Sequence, residues 1–414
     1  MGGCPSGQRG GYPRARDRRR RERREPTVPG TGPGVSAPVT TPPVRHRPTP
    51  ADFRRRRLAL LASALLAGAV LVAGSLYLLG PDDYAGGGSG SVVVRVEAGD
   101  STSAIGESLA EQDVVRSRAA FVSAASDEPA VQRVQPGYYE LRSQMSGGAA
   151  AEALVDPDRR VGFMDVKGGV QLDDTRAPNG AVSPGVLSQI SQATCLGAAD
   201  GEATCTGVDE LRAAMASADP EAIGVPDWAH DGFRAAAPER RMEGLVAPGP
   251  YDIDPRGSPE DVLREVLAIS GQRLDEGGLT GEGAYRTLVL ASIVEKEALA
   301  PDMPKVARVI ENRLGVNQRL EMDSTVNYPL DVQALRTTSE ARGTPGPYNT
   351  YLNTGLPPTP VASVSTTALR AAEAPEAGQW LFFVRCTTEG TSCFAVTYDE
   401  HRGNVARAQA AGAF

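Results

Sequence analysis

The sequence predicts an α+β protein whose folded part stands behind a single membrane-spanning helix. Three observations predict it. Residues 58–80 form 23 consecutive uncharged residues, about the length (~20) that a helix needs to cross a bilayer core. Beyond them, runs with the period of a strand, such as 92–96 and 380–385, are interleaved with runs of helical period, such as 258–267 and 284–300. No repeat dominates the 414 residues, enough for two or three domains with real cores.

Residues 1–57 hold fifteen arginines against Asp17, Glu22, Glu25 and Asp52, a net +11. The whole chain carries −8, so the remainder carries −19. The segment is rich in Pro, Gly and Thr and has almost no aliphatic clusters, so it buries too little to offset its ordering entropy and is expected to be disordered. Such a tail suits nucleic acid by composition, but Arg54 to Arg57 run straight into the apolar stretch 58–80. Positive residues stay in the cytoplasm, which predicts a cytoplasmic N-terminus, an extracytoplasmic C-terminal part and a tail beside the anionic inner leaflet. No nucleic-acid partner is then expected, because the span separates the tail from the folded domain. The rival reading, a cleaved signal peptide, normally has an apolar core of about 7–15 residues.

The cysteines fit an oxidising exterior. Cys4 is alone before the span, whereas Cys195 and Cys205, then Cys386 and Cys393, come as close pairs beyond it. Both spacings suit a pinched loop or hairpin, and the second pair lies between the strand-like runs 380–385 and 394–398. Zinc is not expected: no C-x-x-C occurs and His46, His230 and His401 are scattered.

Residues 81–90 read as a Gly/Ser linker. Val92, Val94 and Val96 then alternate with Val93, Arg95 and Glu97 as a short strand. Asp100 and Ser101 are ready caps for a helix through Ile105 and Leu109. Phe121 and Val122 mark a second helix, 136–142 a second strand, and Met145 to Leu154 a further helix. This strand–helix–helix–strand order over 91–157, with V-x-A-G-D-S at 96–101 followed by Ile and Leu, resembles the LysM-like domain of cell-wall proteins. The rival is an ordinary α+β module. Residues 158–241 form a divergent connecting region with a Gly/Pro/Asp-rich loop at 167–185, a helix at 207–218, and Trp228 and Phe233 packed on a core. Ser258-Pro259-Glu260-Asp261 is a well-formed helix start: a cap, a proline and acids in the first turn.

The chemistry is expected after that, within 242–414. In the helix 284–300, Leu288, Ala291, Ser292, Glu295, Ala298 and Leu299 share one side. Glu297 points about 200° away from Glu295, so the two carboxylates are not a paired site. The plain reading makes each a solvated residue pairing with Lys296 or Lys305. The small neighbours of Glu295 leave room for a ligand, and a half-buried carboxyl there would hold its proton to higher pH. The loop 343–360 is dense in Tyr, Asn, Thr and Pro, a composition suited to sugar hydroxyls and pyranose faces.

The series ASIVEKE, VARVIENRL, LEMDSTVNY, PYNTYLNTGLPPTP, FFV and EH, running from about Leu290 to His401, resembles the YceG-like, or MltG, family of endolytic murein transglycosylases. The span and the LysM-like module fit it, as does, loosely, EGLVAPGPY at 243–251. The resemblance implies a protein held in the membrane by one helix that cuts peptidoglycan glycan strands internally, without a cofactor, beside cell-wall synthases. Its single catalytic glutamate falls on Glu295, with Asn312, Arg313, Asp323, Thr325, Tyr348, Asn349, Thr350 and Tyr351 as expected substrate contacts. Protonated Glu295 would donate to the oxygen between MurNAc and GlcNAc, and the sugar's own C6 hydroxyl would close a 1,6-anhydro end, so no second carboxylate is needed. Two departures stand out. Ser324 replaces the proline of the family's DPTV, and Ser392 stands where a histidine is common, beside the added disulfide pair. The rival readings are an inactive glycan-binding scaffold and a hydrolase pairing Glu295 with Asp323.

Overall fold

Serines start five of the helices among the described residues. The computed structural model describes residues 50–78, 82–198, 201, 203–334 and 337–413. The first helix, α1, spans Pro50–Leu78, covering residues 58–78 of the predicted span. Its side chains are described over 57–72, where Leu58, Leu61, Leu65 and Leu71 are exposed. Among the described residues no helix is long and apolar enough to cross a membrane. The basic tail before residue 50 and residues 79–81 lie outside the described residues.

The first folded module contains β1 (Gly87–Val96), α2 (Thr102–Glu111), α3 (Arg118–Asp127), β2 (Gly137–Met145), α4 (Gly147–Val155) and β3 (Arg160–Val161). The strand–helix–helix–strand order expected from sequence is present. β1, β2 and β3 form an antiparallel sheet in that order, with Val94 opposite Tyr139 and Val96 opposite Gly137. Ser101, Ser117 and Ser146 cap α2, α3 and α4, each accepting a first-turn N–H. The alternation in β1 sends Val94 and Val96 into a core with Ile105, Leu109, Phe121, Leu141 and Leu154. Val93 faces the other way, onto Tyr138 and Val161.

The linker expected over 81–90 is not a free linker where it is described. Gly87 pairs with Met145 and Ser89 with Ser143. Asp83 accepts the N–H of Gly147 at the start of α4 at 3.0 Å, Tyr84 donates to Asp113 at 2.6 Å, and Asp82 pairs with Arg116 at 3.0 Å. Composition alone misread it, because backbone pairing and helix-end charge need no apolar side chains.

The remainder follows as β4 (Phe163–Val166), β5 (Thr175–Arg176), β6 (Val182–Ser183), α5 (Val186–Ala193), α6 (Val208–Ser217), α7 (His230–Ala235), β7 (Gly249–Asp252), α8 (Pro259–Glu276), α9 (Ala284–Glu297), α10 (Met303–Gly315), α11 (Asp323–Asn327), α12 (Ser339–Gly343), α13 (Thr366–Glu373), β8 (Phe382–Arg385), β9 (Ser392–Ala395) and α14 (Tyr398–Ala410). β4 pairs with β7, β5 with β6 and β8 with β9, all antiparallel. One apolar core runs from Met164 through Leu187, Phe233, Leu263, Leu288 and Ile310 to Leu369. That core crosses the 241/242 boundary drawn from sequence, so the connecting region supplies part of the body that carries the chemistry. Ser258 caps α8 by accepting the N–H of Asp261, and Phe233 is fully buried while Trp228 packs at the core's edge.

Both cysteine pairs are disulfides, Cys195–Cys205 and Cys386–Cys393. The second closes the β8–β9 hairpin, in which Cys393 lies opposite Val384.

Candidate active site

Glu295 lies near the C-terminal end of α9, where the helix leaves the core. Residues 288–294 are buried without a break, and Glu295 itself is half-buried. Its compensation comes from Ser365. The hydroxyl of Ser365 donates to Glu295 Oε2 at 2.5 Å and its N–H to the same oxygen at 3.1 Å. Ser365 is the N-cap of α13 and also accepts the N–H of Ala368, so one serine fixes both a helix start and a carboxyl. The other oxygen faces Gly168: a Cβ built there would lie 2.3 Å from Glu295 Oε1. A side chain at 168 would therefore force the carboxyl or the loop to shift, and glycine leaves both where they are.

The loop that brings Gly168 is itself anchored. Gly169 donates to Ser363 O at 2.9 Å and Ser363 donates to Val170 O at 2.7 Å. Lys296 reaches Gly169 O at 3.1 Å. One turn before Glu295, buried Ser292 accepts the N–H of Val361 at 3.0 Å and donates to Val289 O at 2.7 Å. The space expected for a ligand beside Ser292 is therefore occupied by the chain around Val361, whose backbone needs small neighbours to approach the helix. The open space is a cleft of about 630 Å³ where residues 165–168, 247–249, the end of α8 and the start of α13 meet. Gly168 and Ser365, the two residues against the Glu295 carboxyl, both line it.

Glu297 takes a different partner, as its helical position requires. Its Oε1 accepts the N–H of Ser324 at 3.0 Å. Burial pushes the Glu297 carboxyl up, against the lowering effect of Ser324. Ser324 stands where the resembled motif has proline, which has no N–H to give; here the departure supplies the bond that ties α11 to α9.

The other expected site residues gather around this tie. Asp323 accepts from Thr337 Oγ1 at 2.5 Å, Tyr351 OH at 2.8 Å and Arg342 at 3.1 Å. Burial pushes its carboxyl up, but the bonds from Thr337 and Tyr351 outweigh it and hold Asp323 below its ordinary range. Thr325 Oγ1 bonds to Met322 O and to Thr350 Oγ1, each at 2.8 Å, and Thr350 Oγ1 also accepts the N–H of Met322 at 3.0 Å. Asn349 donates to Thr344 O at 2.7 Å and accepts from Tyr351 N at 2.9 Å. Tyr348 shares a bond with Thr359 at 2.8 Å and packs its ring on Tyr328, 4.7 Å between centroids. On α10, Asn312 donates to Trp380 O at 2.9 Å, and buried Arg313 donates to Leu381 O at 2.6 Å, Leu320 O at 2.7 Å and Arg319 O at 3.0 Å. Each of these polar ends thus bonds to protein. The density of amides and hydroxyls in 343–360 has a use besides sugars: it holds an irregular loop together where no ladder satisfies the backbone.

Three residues of the site escaped the sequence reading. Ser365 carries a cap signature, Ser-Thr-Thr before an apolar period, that could have been read. Gly168 was visible only as part of a glycine pair in a loop. Glu243 opens the EGLVAPGPY run but was given no role. It is buried, accepts the N–H of Leu172 at 3.2 Å on each oxygen, and accepts from Tyr328 OH at 2.8 Å. Burial pushes its carboxyl up to about 7, against the bonds from Tyr328 and Leu172. It fastens the far end of the loop whose near end meets Glu295.

Comparison with known proteins agrees with the resemblance. The chain is 27% identical over 318 residues to the endolytic murein transglycosylase of Bacillus subtilis, covering 75% of this chain and 83% of that one. It is 30% identical over 176 residues to the endolytic murein transglycosylase of Streptococcus pneumoniae serotype 2, covering 40% of this chain and 32% of that one. A crystal structure of a yceG-like protein from Listeria monocytogenes aligns with a TM-score of 0.47 at 24% identity, over 76% of this chain and 99% of that one. The profile of the YceG-like family matches residues 94–407, well over half of the sequence, and the chain belongs to that family.

Proposed function

We propose that this protein is a membrane-anchored endolytic lytic transglycosylase of peptidoglycan, with Glu295 as its acid. The observation that carries the reading is one carboxyl bonded by Ser365 and packed against Gly168, two residues that line an open cleft. Protonated Glu295 gives its proton to the glycosidic oxygen as the MurNAc–GlcNAc bond breaks, and positive charge builds on the anomeric carbon. The C6 hydroxyl of the same MurNAc attacks that carbon, and its proton returns to Glu295. The product is a 1,6-anhydro end, and water is neither consumed nor released. A hydrolase pairing Glu295 with Asp323 is disfavoured, because Thr337, Tyr351 and Arg342 already occupy the Asp323 carboxylate.

Residues 58–80 anchor the protein in the cell membrane, with the tail in the cytoplasm and residues 82–414 outside. The uncharged run behind Arg54–Arg57, the helix of α1 and the two disulfides support this topology. The module over 91–157 acts as a LysM-like glycan grip, a reading supported by its strand–helix–helix–strand order. Cell-wall synthases are the partners whose nascent strands it would trim. The bonds around Asp323, Thr325, Asn349 and Thr350 make these residues the frame of the glycan groove, and partly exposed Tyr351 the member of the set best placed to touch sugar.

The test is to incubate the detergent-solubilised chain, wild type and Glu295→Gln, with uncrosslinked glycan strands and weigh the products. Internal fragments with anhydro ends from wild type and none from Glu295→Gln are expected. Ends heavier by one water would move the reaction to hydrolysis, and binding without cleavage would make the protein a scaffold.

A further inference from the structure

The cleft beside Glu295 is cationic in a part of the chain that is not. Residues 58–414 carry a net −19, so an arginine there has many acids to choose from. The cleft nevertheless holds two guanidinium groups that form no ion pair among the described residues. Arg370 lies on α13, five residues after Ser365, and is exposed. Thr366, Leu369 and Arg370 stand at i, i+3 and i+4, so they share the face that lines the cleft. Arg273, at the end of α8, lies over the Tyr251 ring at 4.4 Å and donates to Pro250 O, while its Nη1 has no hydrogen-bond partner. The third cation, Lys167, is paired with Asp165. The acid left in the wall is Glu276, which accepts from Gln272 at 3.3 Å. The start of α13 is already engaged, because its N-cap Ser365 bonds the Glu295 carboxyl, so the two arginines are what the cleft offers an anion.

A neutral glycan needs no such field. We propose that this cleft binds a carboxylate of the peptide stem attached to the MurNAc being cleaved, with Arg370 as its direct partner and Arg273 supplying the field behind it. The proposal rests on peptidoglycan being the substrate. It assigns the cleft to the substrate's peptide side and makes Glu295's reach selective for stem-bearing strands. Carboxylate chemistry has a second source, the lactyl group exposed when a stem is removed, so the test must separate the two.

The experiment reads binding rather than cleavage, so it is informative whether or not the protein cuts. The full chain carrying Glu295→Gln, in detergent micelles, is titrated with three strands: native stem-bearing, stem-bearing with carboxylates converted to amides, and stem-free. Native strands are expected to bind about tenfold more tightly than amide-capped ones, and stem-free strands to bind like the capped ones. Adding Arg370→Gln should remove the tenfold advantage and leave affinity for capped strands unchanged, while Arg370→Lys should keep part of it. Equal binding of native and capped strands overturns the proposal. So does an advantage that survives Arg370→Gln, which would place the carboxylate elsewhere, for instance on the arginine-rich tail. Tightest binding of stem-free strands would assign the cleft to the lactyl carboxylate and overturn the stem. A melting curve on Arg370→Gln checks that this exposed substitution leaves the fold intact.

Discussion

At the scale of single residues, the proposed acid, Glu295, depends on two neighbours. Ser365 bonds one oxygen of Glu295 and Gly168 packs against the other, from distant chain segments. Gly168→Ala would set a methyl carbon 2.3 Å from Oε1, so either the carboxyl or the loop must move. A displacement of that size is expected to lower kcat on the order of a hundredfold, with little change in melting temperature because the loop is at the surface of the cleft. Turnover on glycan strands beside a thermal melt checks it; unchanged turnover would mean that the Glu295 position is not set by this contact. Glu243 makes a prediction about pH. Its carboxyl is raised from 4.5 to about 7 by burial. Below its unfolded pKa the group is neutral in both states. As pH rises toward about 7 the unfolded chain ionises first, so the stability tied to the neutral form is progressively lost, then levels off. The shift corresponds to about 3 kcal/mol. Glu243→Gln, which keeps an oxygen for the N–H of Leu172, should lose less stability than wild type between about pH 5 and about pH 8. Denaturant unfolding across that window measures the difference, and parallel curves for the two proteins would refute it.

At the scale of elements, irregular segments are held by side chains rather than by ladders. Arg313 gathers three carbonyls from 319–320 and 381, Asp323 gathers Thr337, Arg342 and Tyr351, and Ser292 fixes the chain at Val361. The β8–β9 hairpin is held by its ladder and, like the loop between Cys195 and Cys205, by a covalent bond. Cys386 and Cys393 are seven residues apart, and closing so short a loop removes about 2–3 kcal/mol of unfolded-chain entropy in the loop-closure model. The hairpin also packs Phe382 against His401 of α14, 5.3 Å between ring centroids, and gives the N–H of Ser392 to Asp302 at 2.6 Å. The double substitution to serine is therefore expected to lower stability by about that amount and to open the hairpin to proteases. Melting with and without a reducing agent checks it: the reductant should lower the melting temperature more in wild type than in the double variant, which keeps only Cys195–Cys205.

At the scale of the molecule, the chain before the first strand belongs to the fold. Asp82, Asp83 and Tyr84 bond to Arg116, Gly147 and Asp113, and Gly87 to Ser89 extend β1 along β2. A protein that starts at residue 82 should melt like the full chain. One that starts at residue 91, the boundary composition suggests, should lose about 2 kcal/mol or more from the first module, the worth of several bonds removed together. Thermal melts and limited proteolysis of the α2–α3 region distinguish them, and identical curves would show that these contacts contribute nothing.

The sequence by itself determined most element types, the helix starts at Ser101 and Ser258, both disulfide pairings and the family. These are local: a cap, a period or a motif is written in adjacent residues. It also determined that Glu295 and Glu297 point apart, since helix geometry alone settles that. Only the tertiary structure decided what each carboxyl meets. Ser365, Gly168 and Leu172 lie 70, 127 and 71 residues from their carboxylate partners, and no periodicity relates positions so far apart. The tertiary structure also decided that the small residues before Glu295 receive backbone, that the polar loop bonds to itself, and that the open cleft lies instead against α8 and α13. Those outcomes depend on which segments are brought side by side, and packing of the shared core from Met164 to Leu369 fixes that.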